Sequence, residues 1–233
     1  MIKCTCEIES FCNDLHELIL EINQLHNDFS TEFSLNKDVK HFNLRKKQIR
    51  HITEVTEKKG LFSIDNDFFI LLQHYAEKLE NVVIYNDLEY LYSDFDLRLR
   101  VKQPDSIVNK LKYYRVGKLE SGQIPLRKCL NDLLGMRITI DSFDHNNDCF
   151  QNICDLLMNQ YRINCMDSSK GDYKAFHFYF YGESNTFFPW ELQIWRTEDK
   201  EANNRSHQLH KQEYTNWASI YKNSTETSVE KKR

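Results

Sequence analysis

Four segments in the second half of the chain alternate apolar and polar residues with the period of a β-strand. They are residues 95–102, 135–141, 173–181 and 188–196. Because successive side chains of a strand point to opposite faces, each segment predicts one apolar face and one polar face. Such strands, placed side by side, form a sheet that buries one side and presents charged and aromatic residues on the other.

Helical periodicity surrounds these strands. The spacing of apolar residues predicts a further strand over 161–166 and helices over 5–30, 67–81, 86–93, 105–115, 147–160 and 199–222. A helical first third followed by mixed strands and helices is typical of the α/β (α+β) class, with a mixed sheet flanked by helices. We expect a helical N-terminal extension at 1–93, the mixed unit at 94–222 and a disordered polar tail at 223–233.

The scarcity of glycine excludes two common nucleotide-binding loops. The chain has six glycines, whereas a Rossmann fingerprint alone needs three that are closely spaced. The one pair at Walker spacing, Gly117 and Gly122, is followed by Gln-Ile instead of Lys-Ser/Thr. A nucleotide bound by this chain would therefore be held without either backbone cradle.

Composition and charge favour a cytoplasmic protein that does not enter a membrane. Apolar runs such as residues 68–72 are far too short to span a bilayer, and the acidic N-terminal segment does not have the form of a signal peptide. Seven cysteines at irregular spacing are typical of reduced thiols. The net charge of −4 argues against bulk binding to nucleic acid but allows a local basic patch.

One such basic stretch lies at residues 37–59, which contain eight lysines and arginines but only three acidic residues. A run of this kind usually forms the solvated face of a helix, which is the first interpretation here. The alternative is a contact with RNA or a nucleotide.

The polar faces of the predicted strands carry the candidate chemistry. Arg98, Arg100 and Lys102 share one face. Their mutual repulsion is tolerable either if the strand is exposed and its cations are solvated or form salt bridges, or if a polyanion lies above them. Asp132 and Glu191 provide hard oxygen ligands at strand ends, which suit Mg²⁺ bound together with phosphates.

Four short motifs follow one another in this half of the chain. They occupy residues 100–111, 131–138, 171–177 and 191–194. Residues 132–137 have the form Asp-[Ile/Leu]-x-Gly-x-Arg, residues 171–177 have the form Gly-Tyr-x-x-x-His with Asp172 inserted, and Glu191 begins Glu-x-Gln-Ile. In this order the motifs resemble those of the RelA/SpoT synthetase family, and the chain is similar to its small single-domain members.

The resemblance implies a nucleotidyltransferase-like fold and a pyrophosphotransferase of the GTP pyrophosphokinase class. Such an enzyme moves pyrophosphate from ATP to the 3′ hydroxyl of GDP or GTP, and makes guanosine tetra- or pentaphosphate and AMP with the help of Mg²⁺. Small members of this family are often oligomers, so the resemblance is compatible with a homo-oligomer and leaves the oligomeric state open.

Roles carried over by position divide the site into three groups. The resemblance implies that ATP and its phosphates are bound by Arg98, Arg100, Lys102, Ser106, Lys110 and Arg137. It implies that the acceptor is bound by Tyr173, Lys174, His177 and Gln193, with the Tyr173 ring stacked on guanine. Asp132 and Glu191 are the implied catalytic residues: Asp132 would bind Mg²⁺, and Glu191 would hold Mg²⁺ or activate the acceptor hydroxyl.

One departure from the family pattern concerns Trp195, which separates Glu-x-Gln-Ile from Arg196-Thr197. An added residue in a strand sends the following side chain to the other face unless a bulge absorbs it. We therefore expect Trp195 to occupy the polar face and Arg196 to be turned away from the nucleotide.

Two alternative functions remain open at this point. The chain also resembles toxic small members of the family, which pyrophosphorylate the 3′ CCA end of tRNA or make the adenosine analogue ppApp, and which an antitoxin can neutralise. The other alternative is an inactive nucleotide-binding regulatory protein with the same fold.

Overall fold

The computed structural model describes residues 5–56, 61–209 and 212. The N-terminal elements are α1 (Thr5–Ser34), β1 (Thr53–Thr56), β2 (Leu61–Ile64), α2 (Asn66–Tyr85) and α3 (Leu88–Leu91). The mixed unit that follows contains β3 (Arg98–Val101), α4 (Pro104–Lys112), a π-helical turn (Tyr113–Gly117), α5 (Leu126–Cys129), β4 (Leu134–Ile140), α6 (Asp148–Gln160), β5 (Ile163–Asp167), β6 (Phe176–Phe180) and β7 (Trp190–Arg196). A last helix, α7, covers residues 200–209.

The predicted mixed sheet is confirmed. Five strands lie in the order β3-β4-β7-β6-β5. The β4–β7 pair is parallel, and the other three pairs are antiparallel. Each predicted strand is present; β4 has the predicted length but begins one residue earlier, and the other four strands are shorter than their patterns. For example, residues 95–97 are outside β3 because Ser93–Phe95 forms a 3₁₀ turn and Asp96 is left-handed, with φ 47°. The rest of the final predicted helix and the 223–233 tail lie outside the described residues.

The interpretation of the basic stretch as a helix face is wrong. Within its described part, residues 37–48 form turns and loop, Ile49–His51 forms one 3₁₀ turn, and β1 follows. This segment runs alongside residues 122–127 and is joined to them by backbone hydrogen bonds, among them Arg50 N to Gly122 O at 3.0 Å. The bonding partners are about 75 positions apart, so periodicity could not reveal them.

One hydrophobic core joins the N-terminal helices to the sheet. It extends from Leu15 on α1 through α2 to Ile194 on β7. At the start of β7, the buried Trp190 donates its indole N–H to the Tyr75 hydroxyl of α2 at 2.8 Å. The boundary proposed at residue 93 stays a prediction, but the two sides of it pack as one body. Among the described helices, none is long and apolar enough to cross a bilayer.

The expectation that all the cysteines are reduced is wrong for one pair. Cys12 on α1 and Cys149 on α6 form a disulfide, with their Cα atoms 6.5 Å apart. The two residues are 137 positions apart, and their proximity depends on how α1 packs against α6. Cys129, Cys154 and Cys165 are free thiols.

A buried histidine fixes α1 to the segment before β7. His26 is fully buried, and its Nε2 donates a hydrogen bond to the Phe188 carbonyl at 2.9 Å. Burial lowers the pKa of His26 to about 4, and the hydrogen bond to Phe188 opposes this effect only in part. At neutral pH the imidazole is therefore uncharged.

We predict that this histidine makes the fold sensitive to mild acid. Because the folded pKa lies below the unfolded value, the stabilisation is complete above about pH 6.5 and is lost as the pH falls toward about 4. The shift corresponds to about 3 kcal/mol of unfolding free energy. Urea denaturation between pH 7.5 and 4 should show this loss in the unaltered protein and a smaller one in His26→Gln. The matched change at the exposed His74 should leave the pH dependence unaltered.

Candidate functional site

The register of the sheet places the predicted site residues in two rows across its polar face. In the first row Arg98, Arg137, Gln193 and His177 are successive Cα partners on β3, β4, β7 and β6. In the second row Arg100, Gly135, Glu191 and Tyr179 are partners in the same way. Four separate motifs of the sequence therefore meet on one surface.

Asp132 binds two lysines at one end of this surface. It lies in the turn before β4, while Lys102 follows β3 and Lys110 comes from α4. Lys110 Nζ donates to Asp132 Oδ1 at 3.2 Å, and Lys102 Nζ donates to Oδ2. The backbone bond from Lys102 N to Leu133 O, 2.9 Å long, holds the two segments in register.

The two lysines keep Asp132 ionised. Burial alone would raise the pKa of Asp132, but the charges of Lys110 and Lys102 and their hydrogen bonds lower it to about 2. The pKa of Lys110 is raised: burial opposes the rise, and the charge of Asp132 overcomes it. The three groups thus form a largely buried cluster with a net positive charge.

Glu191 is at the centre of a second hydrogen-bonded cluster. Its Oε1 lies 3.0 Å from His177 Nδ1, and its Oε2 accepts a 2.7 Å bond from Gln193 Nε2. The Tyr173 hydroxyl lies 2.9 Å from His177 Nε2 and 3.3 Å from Gln193 Oε1. All four residues were predicted site residues, and the structure brings them together.

The environment of this cluster keeps Glu191 charged. Burial alone would raise the pKa of Glu191, but the hydrogen bond and charge of His177 outweigh it and lower the pKa below its usual value. Burial and the neighbouring Glu191 raise the pKa of both Tyr173 and Tyr179. At neutral pH the cluster therefore contains one carboxylate and two protonated phenols.

Three arginines border the two clusters. Arg98 is exposed and paired with Asp96 at 2.9 Å. Arg100 is exposed and makes no ion pair with any residue that the structure describes. Arg137 is stacked on the Trp195 ring, with its guanidinium carbon 4.3 Å from the ring centroid.

The expectation for Trp195 agrees with the strand register. β7 continues without a bulge, so Thr139 pairs with Trp195 and Ile140 with Arg196. Trp195 therefore shares the polar face with Glu191 and Gln193. Arg196 is turned away and pairs with Asp199 at 2.6 Å.

Two predicted residues are separate from these clusters. Lys174 lines a cavity of about 360 Å³ together with His145, Asp167 and Arg196, whereas its neighbour Tyr173 joins the Glu191 cluster. The Ser106 hydroxyl, on α4, makes no hydrogen bond to the part of the chain that the structure describes. Their roles as acceptor and ATP ligands stay predictions.

Sequence reasoning missed two residues that support the site. Tyr179 is the strand partner of Glu191, and its hydroxyl lies 3.0 Å from His177 Nδ1; its place on the polar side of the alternating pattern was the available signal. Asn203 of α7 is fully buried and holds the backbone of Lys174 by bonds of 2.8 and 2.7 Å. No sequence signal indicated this contact.

The donor chemistry of the carboxylates of Asp132 and Glu191 suits Mg²⁺. Asp132 and Glu191 are both ionised, and they lie at corresponding ends of the parallel strands β4 and β7. Among the described residues there is no group of three or more His, Cys, Asp or Glu side chains that could hold a metal. A Mg²⁺ ion here would therefore take its remaining ligands from water and substrate phosphates, which is its common mode of binding.

Comparisons with known proteins give likenesses of structure only. No protein-family model matches the chain, and no curated protein matches it. Small alarmone synthetase 1 from Bacillus subtilis, bound to its product pppGpp, is 19% identical with a TM-score of 0.34 over 71% of this chain and 95% of that chain. Small alarmone synthetase 2 from the same organism is 15% identical, with a TM-score of 0.33 over 71% and 96%.

A GTP pyrophosphokinase family protein from Streptococcus pneumoniae is 16% identical, with a TM-score of 0.34 over 70% of this chain and 90% of that chain. Likeness at this level carries no weight for function. The interpretation of the site therefore depends on the residues and contacts of this chain.

Proposed function

We propose that this chain transfers a pyrophosphoryl group from ATP to the 3′ hydroxyl of a guanosine nucleotide, GDP or GTP. The observation that carries the proposal is the arrangement of the polar face, where Glu191 of β7 and Asp132 in the turn before β4 are both ionised and are bordered by arginines of β3 and β4. Chemistry of this type depends on positioning and charge stabilisation. The four motifs that resemble the RelA/SpoT synthetase family support the same function.

In the proposed reaction the 3′ oxygen of the acceptor attacks the β-phosphorus of ATP. The bond from that phosphorus to the bridging α–β oxygen breaks, AMP leaves, and the hydroxyl proton is released. Mg²⁺ held by Asp132 and Glu191 would neutralise part of the charge on the triphosphate. Arg100 and Arg137 would face the same phosphates from the arginine border.

The lysine cluster supplies positive charge at the other end of the phosphates. Lys102 and Lys110 are held in place by Asp132, so their ammonium groups are positioned before the substrate arrives. Preorganised charge of this kind acts on the transition state without further reorganisation. Both lysines keep N–H groups beyond those that Asp132 accepts, and these can bind phosphate oxygens.

The electrostatics distinguish between the two roles considered for Glu191. A carboxylate whose pKa lies below its usual value is a poor proton acceptor at neutral pH. Glu191 is therefore better suited to hold Mg²⁺ and orient the acceptor hydroxyl than to take its proton. His177 fixes the carboxylate from one side, and Tyr173 would stack on the guanine.

Incubation with ATP labelled in its β and γ phosphates tests the proposal. We predict that the label enters GDP or GTP, with release of one AMP per transfer, as separated by thin-layer chromatography. Parallel reactions should contain ADP or ATP as acceptor, or deacylated tRNA. Absence of transfer to every acceptor, combined with tight nucleotide binding, would contradict the proposal and favour the inactive regulatory protein.

A basic surface favours tRNA as the second candidate acceptor. We use the name basic surface for Lys46, Lys47, Arg50, Arg127 and Lys128. Backbone bonds between residues 44–50 and 122–127 join the two segments that carry these cations, including Leu126 N to Lys47 O at 2.9 Å. A cluster of cations suits the phosphate backbone of RNA. Label that enters tRNA alone would establish this function in place of the first.

A further inference from the structure

Two arginines of the polar face, Arg100 and Arg137, make no ion pair with any described residue, and Arg137 is instead stacked on an aromatic ring. The other arginines with described ion pairs have acidic partners, such as Asp96 for Arg98 and Asp199 for Arg196. Arg137 makes no ion pair with any residue that the structure describes, and its Nε is buried without a hydrogen-bond partner. The nearby Asp96 is occupied, because it accepts bonds from both Arg98 and Lys200.

The ring of Trp195, and not a carboxylate, holds the Arg137 side chain in place. The guanidinium carbon lies 4.3 Å from the centroid of the indole ring, within the range of a cation–π interaction. Trp195 is only 1% exposed. Its ring is held by His207 of α7, whose centroid is 5.4 Å away, and by Tyr173 at 6.3 Å.

The surroundings of Arg137 make its charge available to an anion. Burial lowers the pKa of Arg137, the charge of Asp96 opposes this effect, and the nearby charges of Arg98 and Arg100 add to the lowering, so the cation is only partly compensated. An arginine stays protonated nonetheless. A phosphate at this position would meet a partly desolvated guanidinium.

We propose that Trp195 is the positioning residue for Arg137: the indole face fixes the guanidinium without neutralising it, and so reserves its charge for the phosphates of the bound nucleotide. The inference depends on the proposed function for the identity of the ligand. The inference also assigns a role to the residue that separates Glu-x-Gln-Ile from Arg196-Thr197. This added residue, Trp195, places an aromatic ring against Arg137, the arginine proposed to bind phosphate.

Binding without turnover tests the pairing. The probes are α,β-methylene ATP, which cannot donate pyrophosphate, and inorganic tripolyphosphate, titrated calorimetrically into the full chain. We expect Trp195→Leu to weaken binding of both probes about tenfold and Trp195→Phe to weaken it less than about threefold, because phenylalanine retains a π face. Thermal unfolding of each variant identifies any loss that is caused by misfolding.

A double-mutant cycle separates positioning from packing. In the Arg137→Gln background, Trp195→Leu should change binding by less than about twofold, since the cation that it holds is already absent. In the Arg98→Gln background the tenfold loss should persist. Equal losses in both backgrounds, equal losses for Trp195→Leu and Trp195→Phe, or no binding of either probe to the unaltered protein would overturn the inference. The binding titrations contain no acceptor, so they are independent of transfer. If Trp195 and Arg137 are coupled in binding but the labelling assay shows no transfer, the proposed function alone is rejected. If transfer occurs but the two residues are not coupled, the role of Trp195 alone is rejected.

Discussion

Glu191→Gln should lower the rate of pyrophosphoryl transfer about a thousandfold, within the range known for removing a charged catalytic group. The amide keeps the shape of the side chain but loses the negative charge, which is needed both to bind Mg²⁺ and to fix His177 Nδ1 at 3.0 Å. The Kd for ATP should change much less, because the arginines and lysines of the polar face are retained. Single-turnover kinetics with labelled ATP, together with calorimetric binding, would measure the two effects separately.

The matched control is Glu201→Gln, which makes the same chemical change on an exposed side chain of α7. It should retain the full rate. Full turnover by Glu191→Gln would show that this carboxylate neither binds the metal nor orients the acceptor. If Asp132→Asn also retained full turnover, the assignment of Mg²⁺ to the pair would be wrong.

Asp132→Asn should reduce both activity and stability. Asparagine leaves Lys102 and Lys110 without a counter-charge in a largely buried site, and removing one partner of such an ion pair costs about 3 kcal/mol. Turnover should fall at least about a hundredfold, because the displaced lysines no longer face the phosphates. Urea denaturation at pH 7 and initial rates at saturating ATP measure the two losses.

The stability difference should depend on pH in a definite direction. The carboxyl pKa of Asp132 is lowered in the folded state, to about 2 from its usual 3.8, so its contribution is complete above about pH 4 and disappears as the pH falls toward 2. The unaltered protein and Asp132→Asn should therefore converge in stability in acid. Asp155→Asn, on an exposed site of α6, is the control. A difference that stayed constant from pH 7 to pH 2 would show that the charge of Asp132 does not stabilise the fold.

The strands and their faces could be predicted because alternation is a local property. Each of the five expected strands is present, and the polar sides of β3, β4 and β7 carry the residues assigned to them. Local patterns also predicted that Trp195 would share a face with Glu191, because only the continuity of one strand was involved.

The partners of the site residues could not be predicted in the same way. The sequence assigned Lys102 and Lys110 to phosphates and Asp132 to a metal, whereas the structure pairs the lysines with Asp132. That pairing depends on the packing of α4 beside β4. The Cys12–Cys149 disulfide and the backbone bonds between residues 44–50 and 122–127 could not be predicted for the same reason, since each joins segments that are far apart in the chain.

The strand order has a consequence for how the chain folds. Among the described strands, β7 comes last in the sequence but lies inside the sheet, between β4 and β6. Before residues 190–196 have been synthesised, β3–β4 and β5–β6 can form only two separate ribbons, each with an unpaired edge that can associate with other chains. The sheet is therefore completed only when β7 is synthesised, and the same step adds Glu191 to the polar face. A ribosome-bound chain that stops short of β7 lacks the centre of its sheet together with Glu191, one of the two carboxylates proposed to hold Mg²⁺.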